Sequence, residues 1–348
     1  MGEQIKPNLP YLGNTTINPV LYDNHGRPLR YLRLAVTDRC NLRCFYCMPA
    51  EGIQFSPRKE VLSFEEMERL VRILVEMGIT KLRLTGGEPF VRKDLMEFLE
   101  RLAAMEGLEE IHLTSNGTHL LPHIPRLKEL GIASINLSLD SLDAERFHQI
   151  TRRDVFAEVW EAYQSLLHHG IRTKINAVVM EEHNLDDLLP FCELTRKDDV
   201  AVRFIEEMPF NGGSKGYTPI TWNARKIIET IQEEYPALER LDDAASSTSH
   251  NFRIPGYTGT IGVIPAYTRT ICGHCDRIRL TPKGTLKTCL YDKGAFSFRD
   301  FMRQGATDEE IKAQFLKAFG NRAKNGFEAE ARSNTNESNF ESMATIGG

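Results

Sequence analysis

The sequence predicts an α/β fold, a parallel sheet with helices outside it, followed by an extension of different pattern. Three observations carry this. Short runs rich in Ile, Val and Leu alternate six times with longer amphipathic stretches, as buried parallel strands and their crossover helices do. Polar, glycine or cysteine residues stand in or just after each run, where barrel-like sheets collect their chemistry. From about Asn211 the alternation stops.

The strand runs are Tyr31–Val36, Lys81–Thr85, Glu110–Thr114, Ser134–Leu139, Ile171–Val179 and Ala201–Ile205. Ser63-Phe64-Glu65-Glu66 has the form of a capping box, and Leu70, Ile73, Leu74 and Met77 then share one helical face. Asp94–Met105, Pro125–Leu130, Asp154–His168 and Leu185–Thr195 are also expected to be helical. Asn211–Gly216 reads as a loop, with a helix to about Tyr235, a polar loop over Ala244–His250 and short strands in Phe252–Ile264. This extension is expected to lie over or beside the sheet. The divisions are residues 1–30 as an N-terminal extension, 31–210 as the sheet domain, 211–324 as the C-terminal extension and 325–348 as a flexible tail ending in Gly347-Gly348.

Composition bounds the function. A chain of 348 residues with 41% hydrophobic content can bury a sizeable core. Its net charge of −5 does not attract nucleic acid, so a phosphate-bearing ligand needs a local Arg and Lys cluster. No apolar run approaches the roughly 20 residues that span a bilayer. The N-terminus, with Pro7, Pro10 and Asn14, does not read as a signal peptide. Seven cysteines without an export signal point to the cytoplasm and to metal or redox chemistry.

Cys40-Asn41-Leu42-Arg43-Cys44-Phe45-Tyr46-Cys47 follows the first strand. Structural zinc takes four ligands, and with no fourth nearby one would have to come from tertiary contact; His112 and His119 are far along the chain. An iron–sulfur cluster held by three thiolates instead leaves one iron open to a ligand. Thr85-Gly86-Gly87-Glu88-Pro89 follows the second strand; alone it reads as a turn. Cys272-Gly273-His274-Cys275 and Cys289 form a second set of three, with His274 poorly placed to share their metal. Arg277 and Arg279 fall on one side of a strand and suit an anion, or else form a solvated basic face. Cys192 is left as a buried thiol. Arg33, Arg83, Lys174 and Arg203 lie inside strand patterns, where unpaired charge is rarely buried, and suggest an anion in the sheet interior. No P-loop motif is present.

The cysteine loop with Tyr46 and the Gly-Gly-Glu-Pro stretch resemble the radical S-adenosylmethionine (SAM) superfamily. The second cysteine set, its Arg-x-Arg and the terminal Gly347-Gly348 resemble more closely the GTP cyclase family of molybdenum-cofactor biosynthesis, over residues from about 31 to the end. The resemblance implies a partial six-strand TIM-type barrel, with the second Fe–S cluster carried by the C-terminal extension. It implies two [4Fe–4S] clusters, one on Cys40, Cys44 and Cys47 that binds SAM, the other on Cys272, Cys275 and Cys289 that binds the purine edge of GTP. Tyr46, Gly87, Ser138 and Met208 are implied as SAM contacts. Arg33, Arg83, Thr114, Lys174, Arg203, Arg277 and Arg279 are implied as GTP contacts. Arg277, Arg279, Gly347 and Gly348 are implied to support catalysis. The implied activity is a lyase in which a 5′-deoxyadenosyl radical takes the ribose C3′ hydrogen and the sugar radical closes on guanine C8. An electron-donor protein, a downstream cyclic pyranopterin monophosphate synthase and a second copy in a homodimer are the implied partners, with no nucleic acid and no membrane.

Other groupings carry no site. Asp186-Asp187, Asp198-Asp199 and Asp242-Asp243 read as solvated turns and helix starts, and Pro122 breaks the His119–His123 spacing. A radical SAM maturase acting on a peptide, and a zinc- or iron-binding regulator, are the competing readings.

Overall fold

The computed structural model describes residues 12–13, 20–208, 221–244, 246–333 and 342–347. A small antiparallel ribbon comes first: β1 (Leu12–Gly13), β2 (Val20–Tyr22) and β3 (Pro28–Leu29). The six expected strands follow as β4 (Tyr31–Ala35), β5 (Lys81–Thr85), β6 (Glu110–Ser115), β7 (Ser134–Ser138), β8 (Thr173–Val179) and β9 (Val200–Glu206). They pair in chain order, all parallel.

The helices between them are α1 (Phe64–Glu76), α2 (Leu95–Ala103), α3 (Ile124–Glu129), α4 (Ala144–Thr151), α5 (Phe156–His168) and α6 (Leu188–Leu194). Ser63 forms the expected capping box: its hydroxyl accepts from Glu66 N at 3.1 Å, and Glu66 accepts from Ser63 N at 2.7 Å. Met67, Leu70, Val71, Ile73 and Leu74 then bury one face of α1 in a core shared with β4 and β5. The sequence pattern had not marked α4, which is short and capped by Asp143.

The extension does not simply lie over the sheet; it lengthens it at both edges. After α7 (Ala224–Glu234) come β10 (Glu239–Arg240), β11 (His250–Arg253) and β12 (Thr260–Ile264). Then follow β13 (Arg277–Leu280), β14 (Thr285–Lys287) and β15 (Phe296–Ser297). β12 pairs parallel with β9, and β13 pairs parallel with β4. The sheet order is β10-β11-β12-β9-β8-β7-β6-β5-β4-β13-β14-β15, so both edges of the six-strand barrel wall are covered by the extension. The chain from β12 to β13 must cross the open side of the barrel, from a strand's C-terminal end to a strand's N-terminal start. The second cysteine set lies on this crossing and on the loop after β14. It therefore sits at the N-terminal end of β4, whereas the first set follows the C-terminal end. The first set thus lies at the strand end where barrel chemistry was expected, and the second, carried by the extension, lies at the opposite end.

The remaining helices are α8 (Phe298–Arg303), α9 (Asp308–Phe319), α10 (Gly326–Arg332) and α11 (Met343–Ile346). The last two correct the expectation of a flexible tail from residue 325. Asn325 caps α10 by accepting from Glu328 N, and Arg269 pairs with Glu330 at 2.8 Å, so this segment is anchored. Ala344 and Ile346 are buried. The Asn211–Gly216 loop and Gly348 lie outside the described residues.

One further correction concerns Asp187, read as a solvated turn. It is buried, accepting from Ser141 Oγ at 2.7 Å, Leu142 N at 2.9 Å and Arg146 Nη1 at 2.6 Å, which together satisfy the carboxylate.

Candidate functional site

The loop after β4 is held against the loop after β5 by backbone contact. Thr37 O accepts from Gly87 N at 2.9 Å, and Arg39 O accepts from Glu88 N at 2.8 Å. A Cβ on Gly87 would run into the Arg39 carbonyl and stand 3.0 Å from Cys40 Cβ. The glycines thus let the second loop lie flat on the cysteine loop, a reason sequence reasoning did not supply. Glu88 is buried beneath, accepting from Ser115 Oγ, Asn116 N and Phe90 N; burial outweighs these donors and raises its carboxyl to about 7.

Cys40, Cys44 and Cys47 are free and lie close enough to repel one another's charge. Burial, then Glu88, pushes the Cys40 thiol up to about 12; burial, then Asp140, raises the Cys44 thiol well above its ordinary value. Burial also raises Cys47, against donors from Ser342 and the backbone of Ala344 and Met343. Asn116 Nδ2 stands 3.7 Å from Cys40 Sγ. The Tyr46 hydroxyl donates to buried Asp140 at 2.8 Å, so Asp140 fixes Tyr46 across the site. Ser138 is paired in register with Asn176 at the ends of β7 and β8.

The basic residues face inward in register. Arg279 lies beside Arg33, Arg33 beside Arg83, and Asn176 beside Arg203. Arg83 Nη1 donates to Leu113 O at 2.8 Å and reaches Thr114 Oγ1 at 3.5 Å. Its Nε donates to the Tyr31 hydroxyl at 2.5 Å. Gly262 leaves room for Arg203, whose Cγ would be 3.0 Å from a Cβ there. Burial, then Arg203, lowers Lys174 to about 7, and burial, then Arg83, lowers Arg203 to about 9. Burial first and neighbouring like charge second thus both disfavour the charged forms here.

A cavity of about 220 Å³ opens among these residues. Arg33, Arg203, Arg277, Arg279 and Met208 line it, together with all three cysteines of the second set. Arg203 Nε and Nη2 and Asn176 Oδ1 are buried there without a hydrogen-bond partner. The tail reaches the same cavity: Met343 lines it, Arg279 Nη1 donates to Gly347 O at 2.7 Å, and Ser342 Oγ donates to Cys47 O at 2.8 Å. Lys174, Arg83 and Thr114 stand in the neighbouring strands of the same interior face.

The second set has a different field. Burial raises the Cys275 thiol, but Arg277 and then Arg322 outweigh it and bring it to about 6; Cys289 is pushed up by burial to about 11. His274 is exposed on the turn between the two cysteines. Cys192 is buried in α6, as expected. Among the described residues no three His, Cys, Asp or Glu side chains converge on a point that would hold a single metal ion. The second trio lines the cavity, and three thiolates of either set would hold a cubane at three corners.

Sequence reasoning missed Ser342, Asp23 and Arg322, and gave no individual role to Asn116 and Asp140, which it noted only within polar strand ends. Their partners are remote in the chain, and no local pattern marks them.

Residues 34–195 match the radical SAM superfamily, and residues 200–328 match the family described as Molybdenum Cofactor Synthesis C. Fold and cysteine loop thus define a radical SAM protein. The chain is 39% identical over 302 residues to the GTP 3′,8-cyclase of Moorella thermoacetica, covering 86% of this chain and 92% of that one. It is 41% identical over 292 residues to Molybdenum cofactor biosynthesis protein 1 of Mus musculus, covering 84% and 46%. The chain therefore spans about half the length of that mammalian relative. Among solved structures, Streptococcus suis SuiB bound to S-adenosylmethionine superposes with a TM-score of 0.58 at 13% identity, over 84% of this chain and 69% of that one. This likeness shows the shared fold. The chain belongs to the GTP 3′,8-cyclase family of molybdenum-cofactor biosynthesis. As a member, it takes two [4Fe–4S] clusters and SAM as cofactors.

Proposed function

We propose that the chain is a lyase that cyclises GTP to the 3′,8-cyclised dihydro-GTP, the first step of molybdenum-cofactor biosynthesis. The observation that carries this is one cavity lined by five arginines and the second cysteine set, in which two buried guanidinium nitrogens of Arg203 have no protein partner. A triphosphate supplies the acceptors that those donors lack.

In this reading Cys40, Cys44 and Cys47 hold one cluster, and Cys272, Cys275 and Cys289 hold the other. Reduced cluster and SAM together supply hydrogen-abstracting radical chemistry. Tyr46, Gly87, Ser138 and Met208 position SAM. Arg33, Arg83, Lys174, Arg203, Arg277 and Arg279 neutralise the triphosphate, and Thr114 orients it. Gly347, carried on Arg279, lies toward the same space, and Gly347 and Gly348 support catalysis in this reading. An electron-donor protein, a synthase that takes the cyclised product and a second copy of this chain complete the reading. A cytoplasmic setting suits seven free thiols. Among the described residues no helix is long and apolar enough to cross a membrane.

The test is an anaerobic reaction of reconstituted protein with SAM, dithionite and GTP, read by mass spectrometry. 5′-Deoxyadenosine together with a GTP isomer is expected, with ATP and simple peptides inactive. Deoxyadenosine without the isomer would overturn the cyclase and favour a maturase.

A further inference from the structure

One buried side chain outside the proposed substrate contacts directs four of its five donors at the second cysteine set and the residues beside it. Arg322, 2% exposed, follows α9. Its Nε donates to Thr288 O at 2.9 Å, just before Cys289. Nη1 donates to Cys275 O at 2.8 Å and to Asp23 Oδ2 at 3.1 Å. Nη2 donates to Arg277 O at 2.7 Å and to Cys275 Sγ at 3.3 Å. A guanidinium has five N–H groups, and each has an acceptor here.

Asp23 lies in the turn between β2 and β3 and is held in turn by Arg27, whose Nε donates to it at 2.7 Å. Arg27 Nη1 reaches Cys272 O at 3.4 Å. The two arginines and one carboxylate leave a net positive charge against the second set. All three cysteine positions are thus touched, at the residue itself or its neighbour, by this N-terminal turn and Arg322.

We propose that Arg322 is a positioning residue for the second cluster: it fixes the ligand backbone, and its charge and Sγ contact raise that cluster's reduction potential, with Asp23 limiting the effect. The inference rests on the two-cluster reading above. Hydrogen bonds to ligand sulfur and nearby net charge are the protein's means of setting such potentials. A mere backbone clip needs no donor aimed at sulfur.

The test uses full-length protein carrying Cys40→Ala, Cys44→Ala and Cys47→Ala, reconstituted anaerobically so that only the second cluster gives a signal. Its midpoint potential is read by redox titration followed by electron paramagnetic resonance. Arg322→Gln is expected to lower the potential, Arg322→Lys to restore most of it, and Asp23→Asn to raise it. Arg322→Gln that keeps its iron and the parent potential overturns the inference alone. If Arg322→Gln loses its iron, Asp23→Asn decides: an upward shift supports the inference and an unchanged potential overturns it. A parent that takes up no cluster overturns the two-cluster reading, and this inference with it.

Discussion

The two three-cysteine sites share a ligand count and little else. The first lies at the C-terminal end of β4, between buried Glu88 and Asp140, and burial together with these carboxylates raises its thiols. The second lies at the N-terminal end of β4 beside Arg277 and Arg322, which bring Cys275 down to about 6. Like thiols in opposite fields suit opposite tasks. A site among carboxylates disfavours extra negative charge and makes a cluster there a stronger reductant. At the second site Arg277 and Arg322 favour negative charge on Cys275 and on a phosphate-bearing ligand in the adjoining cavity, while burial, and then Asp292, hold Cys289 up. The barrel interior between them carries the basic ladder, so the field changes sign along the molecule.

That contrast can be broken most severely at the ligands. Cys44→Ser is expected to abolish 5′-deoxyadenosine release, whereas Cys289→Ser keeps it and loses the GTP isomer; mass spectrometry of both products checks the pair. Full isomer formation by Cys289→Ser would sink the role given to the second site. Next, Arg203→Ala should weaken GTP binding by about 10- to 100-fold, the worth of charge-assisted hydrogen bonds, with SAM binding unchanged. Calorimetry with each ligand separates the two. The sites' potentials should also differ, the first lower than the second, in redox titrations of proteins each lacking one cysteine trio.

A smaller effect follows from Lys174, whose folded value of about 7 lies below the ordinary 10.5. Between these values the unfolded chain binds a proton that the folded chain does not, so stability without ligand rises with pH across this window. A bound triphosphate restores the charge. At about pH 8, GTP binding should therefore take up about one proton, seen as a buffer-dependent binding enthalpy. Binding with no proton uptake would remove Lys174 from the phosphate site. The smallest change is expected at Ser63→Ala, which touches neither site. Loss of its capping box should cost about 1 kcal/mol in denaturant unfolding and leave both clusters in place.

Much of this was legible in the chain. The β-α period, the α1 capping box and the Cys-x3-Cys-x2-Cys loop are written in residues a few positions apart, because strand alternation, helical faces and loop ligation are local. The inward basic residues were legible too, since charge inside an apolar strand run is a local anomaly. Other features needed the fold. Asp23 and Arg322 are 299 positions apart, and Cys47 and Ser342 are 295 apart. No period links such pairs, and only chain crossing brings them together. The helix Gly326–Arg332 looked mobile in sequence because its anchor, Arg269, belongs to another segment. The Gly86-Gly87 pair was visible as a motif, but the carbonyls that demand it are those of Thr37 and Arg39. Sequence alone determined which residues could ligate, cap or carry charge, because that is fixed by covalent chemistry and near neighbours. Tertiary structure alone decided that one thiol trio lies among carboxylates and the other among guanidiniums, because burial and Coulomb fields depend on distance through space and not along the chain.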